Sequence, residues 1–553
     1  MDIPNDITTT IYLISCLIIT LGSIILLICY KKYNKTWPKT PVIIIGILLF
    51  LLNLNAWYFL STNYKSKISI LASSKPIHHD VLETEFRSFE VPGFSFINQV
   101  PNDEESENFD CSSIKMINDN IIESSPLINL NKDDDLKSLR DQLLNMSETN
   151  AVYKLCFQDK EHESEEDILK KKWFKFCGSS VWMSNYGVYF TINRIVYTKE
   201  GSRNNPTISI LSGQIFNRNW EELKDYKFPN SNLTFPTILP HYIDIGKKEK
   251  KEIIGSEDPR VILNEYNEDG KTIQEPIVIF NARRTEIKWF RAMHIYRPLL
   301  DPVNIIRLSI KDKKRSFREK NWAPFMNSHD NDYINFIYNF NPLRIIKCDL
   351  KSGECNKVTG PPFNTLNAND NAGKLRGGTQ LIEIPENFLP NDVTEKNKFL
   401  LGIARSHNKE CGCLIELYRP HIFILSKSKD PEINNYQLDY VSSLLDFNIV
   451  PEPWSIGKST CQDGKSVLIP NSIAYWDKIG NHDYMGITLS EADRSNKLIH
   501  IRGLLPYLTQ ILQKRLDQTD NKDTILLENK LLGDCSTSLS EEYCEKAENL
   551  LGW

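Results

Sequence analysis

The run Gly255-Ser-Glu-Asp-Pro-Arg-Val261 places two carboxylates and one guanidinium within four residues, just before an apolar segment predicted to be a strand. Pro259 restricts the backbone of this turn. Glycosyl transfer to a hydroxyl needs a carboxylate that accepts a proton and cations that hold a leaving phosphate. Glu257, Asp258 and Arg260 supply both kinds of group. The same residues could also form an ordinary turn with a salt bridge, so the residue types alone leave both interpretations open.

Further polar residues stand at the ends of other apolar segments, at a similar place in a repeating pattern. Arginines at strand ends could converge on a phosphate, and a glycine pair would let the backbone approach a ligand closely. Each residue could instead form a structural ion pair or a bend. Besides Glu257 and Arg260, the candidates for substrate binding are Arg194, Asn281, Arg283, Arg284, Lys320, Arg376, Gly378, Thr379, Arg405, His407, Tyr418, Arg419 and Asp493.

Five segments combine an apolar strand pattern with polar residues at one end, and each is followed by a second strand-like run. Their recurrence at unequal spacing predicts a mainly β, five-bladed β-propeller-like catalytic domain, whose inner strands carry polar residues to a central channel. A β-sandwich or barrel would contain similar strands. The five segments are VYFTINRIVY (188–197), PIVIFNARR (276–284), FIYNFNPLRIIKC (336–348), FLLGIARSH (399–407) and YMGITLSEAD (484–493).

Two uncharged apolar runs, residues 11–30 and 41–60, are each long enough to cross a bilayer. The lysines between them would place the short loop in the cytosol and everything after residue 60 in the lumen of the secretory pathway. The lipid bilayer is therefore a predicted partner. One span followed by a partly buried helix is the alternative. The triplets Asn145-Met-Ser147 and Asn232-Leu-Thr234 are predicted glycosylation sites on the luminal side.

The pattern along the chain predicts four parts. Residues 63–150 are rich in Ser, Asn, Asp and Glu, which is typical of a partly disordered stem. After residue 505 the apolar residues of LLPYLTQILQKRL recur at helical spacing, which predicts C-terminal helices. The apolar runs 11–30 and 41–60 predict N-terminal transmembrane helices before the β domain. The predicted parts are a membrane anchor (1–62), a luminal stem (63–150), the propeller-like domain (151–505) and a C-terminal helical segment (506–553).

Charge and cysteine content narrow the classes of partner. The net charge of -5 provides no basic field for a nucleic acid, so none is expected. The short intervals Cys348 to Cys355 and Cys411-Gly-Cys413 lack the ligand pattern of a structural zinc site, and disulfides or buried thiols are the expected outcome. The acidic runs at 330–332 and 133–135 are expected in solvated loops. We therefore predict no metal site.

Several ordered motifs resemble the β-mannosyltransferase family of Candida-type yeasts, also called the WRY family. The likeness covers roughly residues 80–505. It implies a type II Golgi-type membrane protein that transfers mannose from GDP-mannose, in β-1,2 linkage, to cell-wall mannan or a related mannoside acceptor; participation of Mn²⁺ is left open. The second apolar segment departs from the usual single anchor. The motifs are FPTILPHYIDIG (235–246), GSEDPRV, IFNARR, EKNWAPF (319–325), RGGTQLIEI (376–384), GIARSHNKECGC and YRPHIFIL.

The Glu-Asp-Pro-Arg run, a Gly-Gly-Thr before an apolar strand, a Tyr-Arg strand start and the late Ala492-Asp493 are also similar to the β-mannoside phosphorylases. That resemblance implies a five-bladed propeller with Asp258 as the catalytic base for synthesis and Arg260 as a sugar or phosphate contact. The chain departs from the phosphorylases at Gly402-Ile-Ala-Arg405. Two alternatives remain open at this point: a mannoside phosphorylase or hydrolase, and a non-catalytic glycan-binding propeller.

Overall fold

The computed structural model describes residues 95–96 and 122–516, apart from short gaps of which the longest are 240–252, 285–289, 364–374 and 431–435. The predicted spans at 11–30 and 41–60, and the helical pattern beyond residue 516, lie outside these residues. Among the helices that are described, none combines the length and the apolar character needed to cross a bilayer. The described part is mainly β, as the sequence predicts.

The segment before the main β region adds short strands and helices to it. The strands β2 and β3 both pair with a strand near the end of the domain, so residues from the predicted stem complete one of its sheets. The elements of this segment are β1 (Ser95–Phe96), β2 (Glu123–Ser124), β3 (Ile128–Asn129), helix α1 (Asp135–Ser147), a 3₁₀ helix (Tyr153–Phe157) and helix α2 (Glu165–Lys172).

The first antiparallel group of strands begins at Trp173 and contains the segment predicted at 188–197. Every residue of that strand is buried. β-Branched and aromatic side chains fill both of its faces, which is expected for a strand covered on each side. The strands are β4 (Trp173–Met183), β5 (Val188–Tyr197), β6 (Ile208–Phe216) and β9 (Thr237–Ile238), with a separate pair formed by β7 (Tyr226–Lys227) and β8 (Thr234–Phe235).

The second and third groups follow in chain order. A two-residue turn at Asp269-Gly270 joins the long strands β10 and β11. Both residues have positive φ, which is the backbone conformation that matches the twist of a tight hairpin. The second group is β10 (Ile254–Glu268), β11 (Lys271–Arg284), β12 (Phe290–Arg297) and β13 (Asp301–Arg307). The third is β14 (Ser309–Ile310), β15 (Ala323–Phe325), β16 (Tyr333–Phe340), β17 (Leu343–Asp349) and β18 (Glu354–Thr359).

The fourth and fifth groups complete the β region, and helix α5 follows them as its sequence period predicts. The fourth group is β19 (Leu375–Arg376), β20 (Ile382–Glu383), β21 (Asn397–Asn408), β22 (Glu416–Ser428) and β23 (Tyr436–Val441). The fifth is β24 (Lys465–Ile479), β25 (His482–Glu491) and β26 (Ser495–Arg502), extended by β1–β3. The remaining helices are a 3₁₀ turn (Glu386–Phe388), α3 (Asn391–Thr394), α4 (Thr460–Asp463) and α5 (Leu504–Leu516).

Hydrogen bonds join each group to the next, and they also join the first group to the fifth. Short parallel pairings add to these contacts between β6 and β10 and between β22 and β24. The five groups therefore form a closed cycle of contacts. One bond at each junction is Val261 N to Ser179 Oγ (3.0 Å), Asn264 Nδ2 to Asn331 O (3.2 Å), Leu381 N to Pro324 O (2.9 Å), Gln380 Nε2 to Ile473 O (2.7 Å) and Ser180 N to Ser472 Oγ (2.7 Å).

Helix α1 shows that part of the acidic segment is packed and not solvated. Leu139 and Leu143 lie in a buried cluster with β-strand residues. Asp135, expected in a solvated loop, is only 7% exposed, and its carboxylate accepts a hydrogen bond from the buried Lys175 ammonium. That expectation was wrong for Asp135, because a lysine 40 residues away supplies the countercharge that makes its burial possible.

Replacing Asp135 with asparagine should lower the free energy of unfolding by about 3–5 kcal/mol, because it leaves a buried ammonium without its countercharge. Asp134→Asn is the matched control: Asp134 pairs with Lys224 at 3.1 Å, but both side chains are more than half exposed. The control should change stability by at most about 1 kcal/mol. Denaturant unfolding of the full-length protein in detergent measures both, and equal effects would contradict a special role for the buried pair.

Two disulfides have both of their cysteines among the described residues, Cys348–Cys355 and Cys413–Cys461. The first pair holds neighbouring strands β17 and β18 together at a point where they are already in register. Cys411 is also disulfide-bonded. Of the described cysteines, Cys156 and Cys177 are free and buried.

Candidate active site

The acidic motif lies inside strand β10 and not before it, which corrects the prediction from sequence. Pairing with β11 is regular on both sides, but the register shifts between Glu257 and Arg260, so Asp258 and Pro259 bulge out of the ladder. Asp258 has a φ of 51°, a conformation that aspartate tolerates better than most residues. A bulge re-aims a side chain out of the normal alternation. It turns the Asp258 carboxylate, whose side chain is 31% exposed, towards solvent.

Arg194, on the neighbouring strand β5, binds both carboxylates of the motif. Its Nη1 donates to Asp258 Oδ1 at 3.0 Å, and its Nη2 lies 3.1 Å from Glu257 Oε2. The Arg194 Nε donates to Ser209 Oγ at 2.9 Å, and the guanidinium lies over the Phe176 ring. Each of the three guanidinium nitrogens thereby has a partner, so Asp258 is held by an arginine that is itself fixed in place.

A second arginine holds Glu257 from the opposite side. Arg291 of β12 donates to Glu257 Oε1 and, at 2.9 Å, to the side-chain oxygen of Asn281. The Asn281 amide nitrogen donates to the Glu257 carbonyl at 3.1 Å and lies 3.5 Å from Asp258 Oδ2. Glu257 is buried and bound by two guanidiniums, whereas Asp258 keeps an open side. The site therefore assigns the supporting role to Glu257 and leaves Asp258 available to a ligand.

Positively charged side chains from two other strands and one loop lower the pKa of Asp258. Burial opposes its ionisation, but the charges of Arg194, Lys320, Arg405 and Arg260 outweigh burial and hold the pKa of the Asp258 carboxyl below its ordinary value. Asp258 is therefore ionised at neutral pH and loses its charge only when the pH falls through this lowered pKa. An ionised carboxylate at an open position is the state that a general base requires.

Asp493 is the third carboxylate of the site, and its pKa shifts in the opposite direction from that of Asp258. Burial raises the pKa of Asp493, and the nearby charge of Asp258 adds to that rise against the opposing arginines. Environments that push the pKa values of two carboxylates apart separate their roles. Asp258 carries the negative charge, and Asp493 takes up a proton more readily.

Tyr418 and His407 form a wall beside these carboxylates. Their rings stack at a centroid separation of 4.3 Å and an interplanar angle of 6°, and the Arg405 guanidinium lies 5.4 Å from the centre of the Tyr418 ring. Burial raises the pKa of Tyr418 to about 12, so its hydroxyl stays protonated and can donate a hydrogen bond. Arg405 Nη2 also donates to Asn321 Oδ1 at 2.8 Å. Flat rings edged by hydroxyl and guanidinium groups suit the binding of a sugar.

Lys320 lies on the exposed side of the same site. Partial desolvation lowers the pKa of the Lys320 ammonium. The negative charge of Asp258 opposes this shift, and the positive charges of Arg405, Arg291 and Arg318 reinforce it. Mutual repulsion of this kind marks a concentration of positive charge. An anion bound among these residues would relieve the repulsion, which is the behaviour expected at a phosphate site.

Several predicted site residues are used within the sheets. Arg419 is buried and donates to the Tyr418 carbonyl and to Ser466. The Thr379 hydroxyl accepts from Ile403 N and donates to the Gln380 carbonyl. These bonds hold the Thr379 hydroxyl and the Arg419 guanidinium against backbone and side chains of the sheets.

The glycine pair also serves packing. A Cβ on Gly378 would lie 2.1 Å from the Ile403 carbonyl, and one on Gly377 would lie 2.4 Å from the Asn321 carbonyl. The close approach is therefore to neighbouring backbone. The Gly378 carbonyl accepts a hydrogen bond from Arg260 Nε, which fixes the arginine of the acidic motif.

The last three predicted residues lie on the strands that carry the site. Arg376 is partly buried on β19, and burial together with Arg405 lowers the pKa of its guanidinium. Arg283 is buried on β11 opposite Arg291. Arg284 ends β11, and its side chain lies outside the described residues.

Three contributors were missed by the sequence analysis. Arg291 lies at the start of strand β12, whereas the repeating pattern predicted site residues at the ends of strands. The register between β11 and β12 would have placed Arg291 opposite Arg283. Arg203 donates to the Ala492 carbonyl at 2.6 Å, beside Asp493. The buried Cys177 thiol, whose pKa is raised to about 12 by burial, lies within electrostatic reach of Asp258 and Asp493. No sequence pattern indicated Arg203 or Cys177.

The two predicted glycosylation acceptors, Asn145 on α1 and Asn232 in the loop before β8, are both exposed. Across the described ranges, no group of three or more His, Cys, Asp or Glu side chains is arranged to hold a metal ion.

A sequence model of the β-mannosyltransferases matches residues 110–294 and 302–543. The chain is 48% identical to β-mannosyltransferase 3 of Candida albicans over 95% of each protein. It is 32% identical to β-mannosyltransferase 4 of Komagataella phaffii, over 85% of this chain and 86% of that protein. Its structure aligns with a β-1,2-mannobiose phosphorylase from Listeria innocua at 12% identity and a TM-score of 0.34, over 62% of this chain and 94% of the other. The extent of the two sequence matches confirms the predicted resemblance: the chain belongs to the β-mannosyltransferase family and is a glycosyltransferase.

Proposed function

We propose that this enzyme is an inverting β-1,2-mannosyltransferase that moves mannose from GDP-mannose to mannan or a related mannoside. The observation that carries the proposal is the state of Asp258. Its carboxylate is ionised, held by Arg194 and left open on one side. A transferase that uses a single displacement needs one such base and cations for the leaving group, and the residues around Asp258 supply both.

The proposed step is one displacement at the anomeric carbon of the donor. GDP-mannose carries its mannose in α linkage to phosphate, so a β product requires inversion. The acceptor 2-hydroxyl gives its proton to Asp258, and its oxygen forms the new bond to C1. The bond from C1 to the phosphate oxygen breaks, and GDP leaves with the electron pair. Lys320, Arg405 and Arg291 would balance the charge of the departing diphosphate.

We propose a five-bladed propeller as the architecture of the catalytic domain. Five antiparallel groups of strands support it, because each hydrogen-bonds to the next in chain order and the first hydrogen-bonds to the fifth. In such an arrangement the inner strand of each blade faces a common axis. Residues from all five groups or their adjoining turns meet around Asp258, with Lys320 contributed by the chain between β14 and β15 of the third group, as expected for a site on that axis.

We propose that the enzyme is anchored in a Golgi membrane with this domain in the lumen, where it would act on cell-wall mannan. The disulfides Cys348–Cys355 and Cys413–Cys461 support the assignment, because such bonds persist in oxidising compartments. Protease protection of the domain in sealed Golgi vesicles tests it, and cleavage without detergent would contradict it. The proposed mechanism gives Mn²⁺ no step of its own.

The donor and the linkage are tested together. Full-length protein in detergent is incubated with a mannobiose acceptor and either GDP-mannose or mannose 1-phosphate, and the new bond is identified by NMR. The proposal expects a β-1,2-linked mannose from GDP-mannose alone. Transfer from mannose 1-phosphate with release of inorganic phosphate would instead favour a phosphorylase, and an α linkage would contradict inversion.

A further inference from the structure

A cavity of about 170 Å³ is lined in part by Arg291, the arginine that also binds Glu257. Its walls come from β12, β13 and the chain between β14 and β15. A cavity of about 150 Å³ accommodates a benzene-sized ring, so this one can take a single ring system but not a whole nucleotide. Its lining does not include Tyr418, His407 or Asp493.

The lining of the cavity combines positive charge with apolar surface. Arg291, Arg307 and Lys313 contribute cations, against the single carboxylate of Glu319. Lys313 binds Glu319 and lies 5.1 Å from the centre of the Tyr338 ring. Glu257, which Arg291 also binds, is a second carboxylate next to the lining, so the balance is three cations against two carboxylates and still favours an anionic ligand.

The apolar part of the lining is a fixed wall. Trp322 is only 4% exposed and packs edge-on against Phe336, with a centroid separation of 5.4 Å. Leu308 and Ile310 continue the wall. Inorganic phosphate would gain nothing from such a surface, whereas a ligand that joins a ring to phosphates would use both halves of the lining.

Two residues connect the cavity to the catalytic carboxylate. Arg291 lines the cavity and also binds Glu257, the neighbour of Asp258. Glu319 lines the cavity, and the next residue, Lys320, acts electrostatically on Asp258. The cavity and the acidic motif therefore share Arg291 as a contact, and Lys320 follows a cavity residue directly in the sequence.

We infer that this cavity holds the base of a nucleoside diphosphate donor, with the ribose and diphosphate passing Arg291 and Lys320 to reach the mannose beside Asp258. The inference rests on the proposed function. If Arg291 binds a phosphate oxygen with one edge of its guanidinium and Glu257 with another, donor binding is linked to the position of Glu257, the neighbour of Asp258. The neutral mannoside acceptor, which needs no cations, binds on the other side, at Tyr418 and His407.

The test blocks the cavity without touching the acidic motif. Ser309 lines it with an exposed side chain on β14, so Ser309→Trp should fill the space while the strand keeps its backbone bonds. Ser138→Trp, on the exposed face of α1, is the matched control for adding an indole. Arg307→Gln is a second variant that removes charge and adds no bulk. Calorimetric titration of the full-length proteins with GDP and with inorganic phosphate gives the affinities, and thermal unfolding confirms the fold.

We expect Ser309→Trp to weaken GDP binding at least 10-fold and Arg307→Gln to weaken it several-fold, with Ser138→Trp matching the wild type. Unchanged GDP affinity in Ser309→Trp and Arg307→Gln, in proteins that still transfer mannose from GDP-mannose, would overturn the cavity assignment and leave the proposed function standing. A wild-type protein that binds phosphate but not GDP would overturn both, and the donor assay would then identify the phosphorylase.

Discussion

Asp258→Asn should lower kcat for mannose transfer by about 10²–10⁴-fold, the range typical of a lost general base. Asparagine is nearly isosteric with aspartate and tolerates the positive φ of this bulge, so the strand should keep its shape. The amide can still accept a hydrogen bond from Arg194, but it cannot take the proton of the acceptor hydroxyl. GDP affinity should stay within a few-fold of the wild type, because the diphosphate and nucleoside are assigned to other residues.

Asp332→Asn is the control for this substitution. Asp332 lies in an exposed loop, 3.6 Å from Lys351, with 64% of its side chain exposed, so its loss should leave kcat unchanged. Initial rates at saturating donor and acceptor, measured on proteins of equal melting temperature, make the comparison. A folded Asp258→Asn enzyme with wild-type kcat would remove Asp258 from the chemistry.

Arg194→Met should lower kcat/KM by at least about 100-fold, because it removes two charge-assisted contacts, to Asp258 and Glu257, each contributing about 1.5–3 kcal/mol. It should also move the acid limb of the pH profile to higher pH. The sign follows from Asp258: Arg194 lowers the pKa of that carboxyl, only the ionised form acts as the base, and removal of the guanidinium raises the pKa. Activity is then lost at a higher pH as the solution is acidified.

Arg419→Met is the matched control, since Arg419 is also a buried arginine with two side-chain nitrogens bound. Its partners are the Tyr418 carbonyl and Ser466, so its loss should lower the melting temperature and leave the acid limb in place. The pH dependence separates a positioning role from a purely structural one. An acid limb that stays unchanged in Arg194→Met would contradict the role given to that arginine.

Strand positions were the part of the fold that the sequence predicted best. The segments at 188–197 and 399–407 both lie within observed strands, the first with the same ends, because β-branched and aromatic runs bounded by turn residues have few other ways to be buried. The location of the acidic motif was wrong by one element. A proline after two carboxylates is typical of a turn, but a bulge can place the same residues inside a strand when the partner strand skips them.

The side-chain roles were harder to predict, because they depend on contacts between distant segments. Arg194 and Arg419 occupy similar places in the sequence pattern, yet one binds Asp258 and the other binds Ser466, 47 residues away. Alternation along a strand decides which of two neighbouring residues faces the site, and each bulge reverses that alternation locally. Arg291 was missed for the same reason, since its place is set by its register with β11.

Chemical rescue by formate tests the role of Asp258 most directly. Asp258→Ala leaves a space where the carboxylate stood, and formate is a carboxylate small enough to enter it. Transfer by Asp258→Ala should be at least about 10²-fold slower than in the wild type and should rise with formate concentration, with a β-linked product. Asp493→Ala should show no such rescue. Wild-type transfer by Asp258→Ala without formate, or rescue confined to Asp493→Ala, would contradict the assignment of Asp258 as the base.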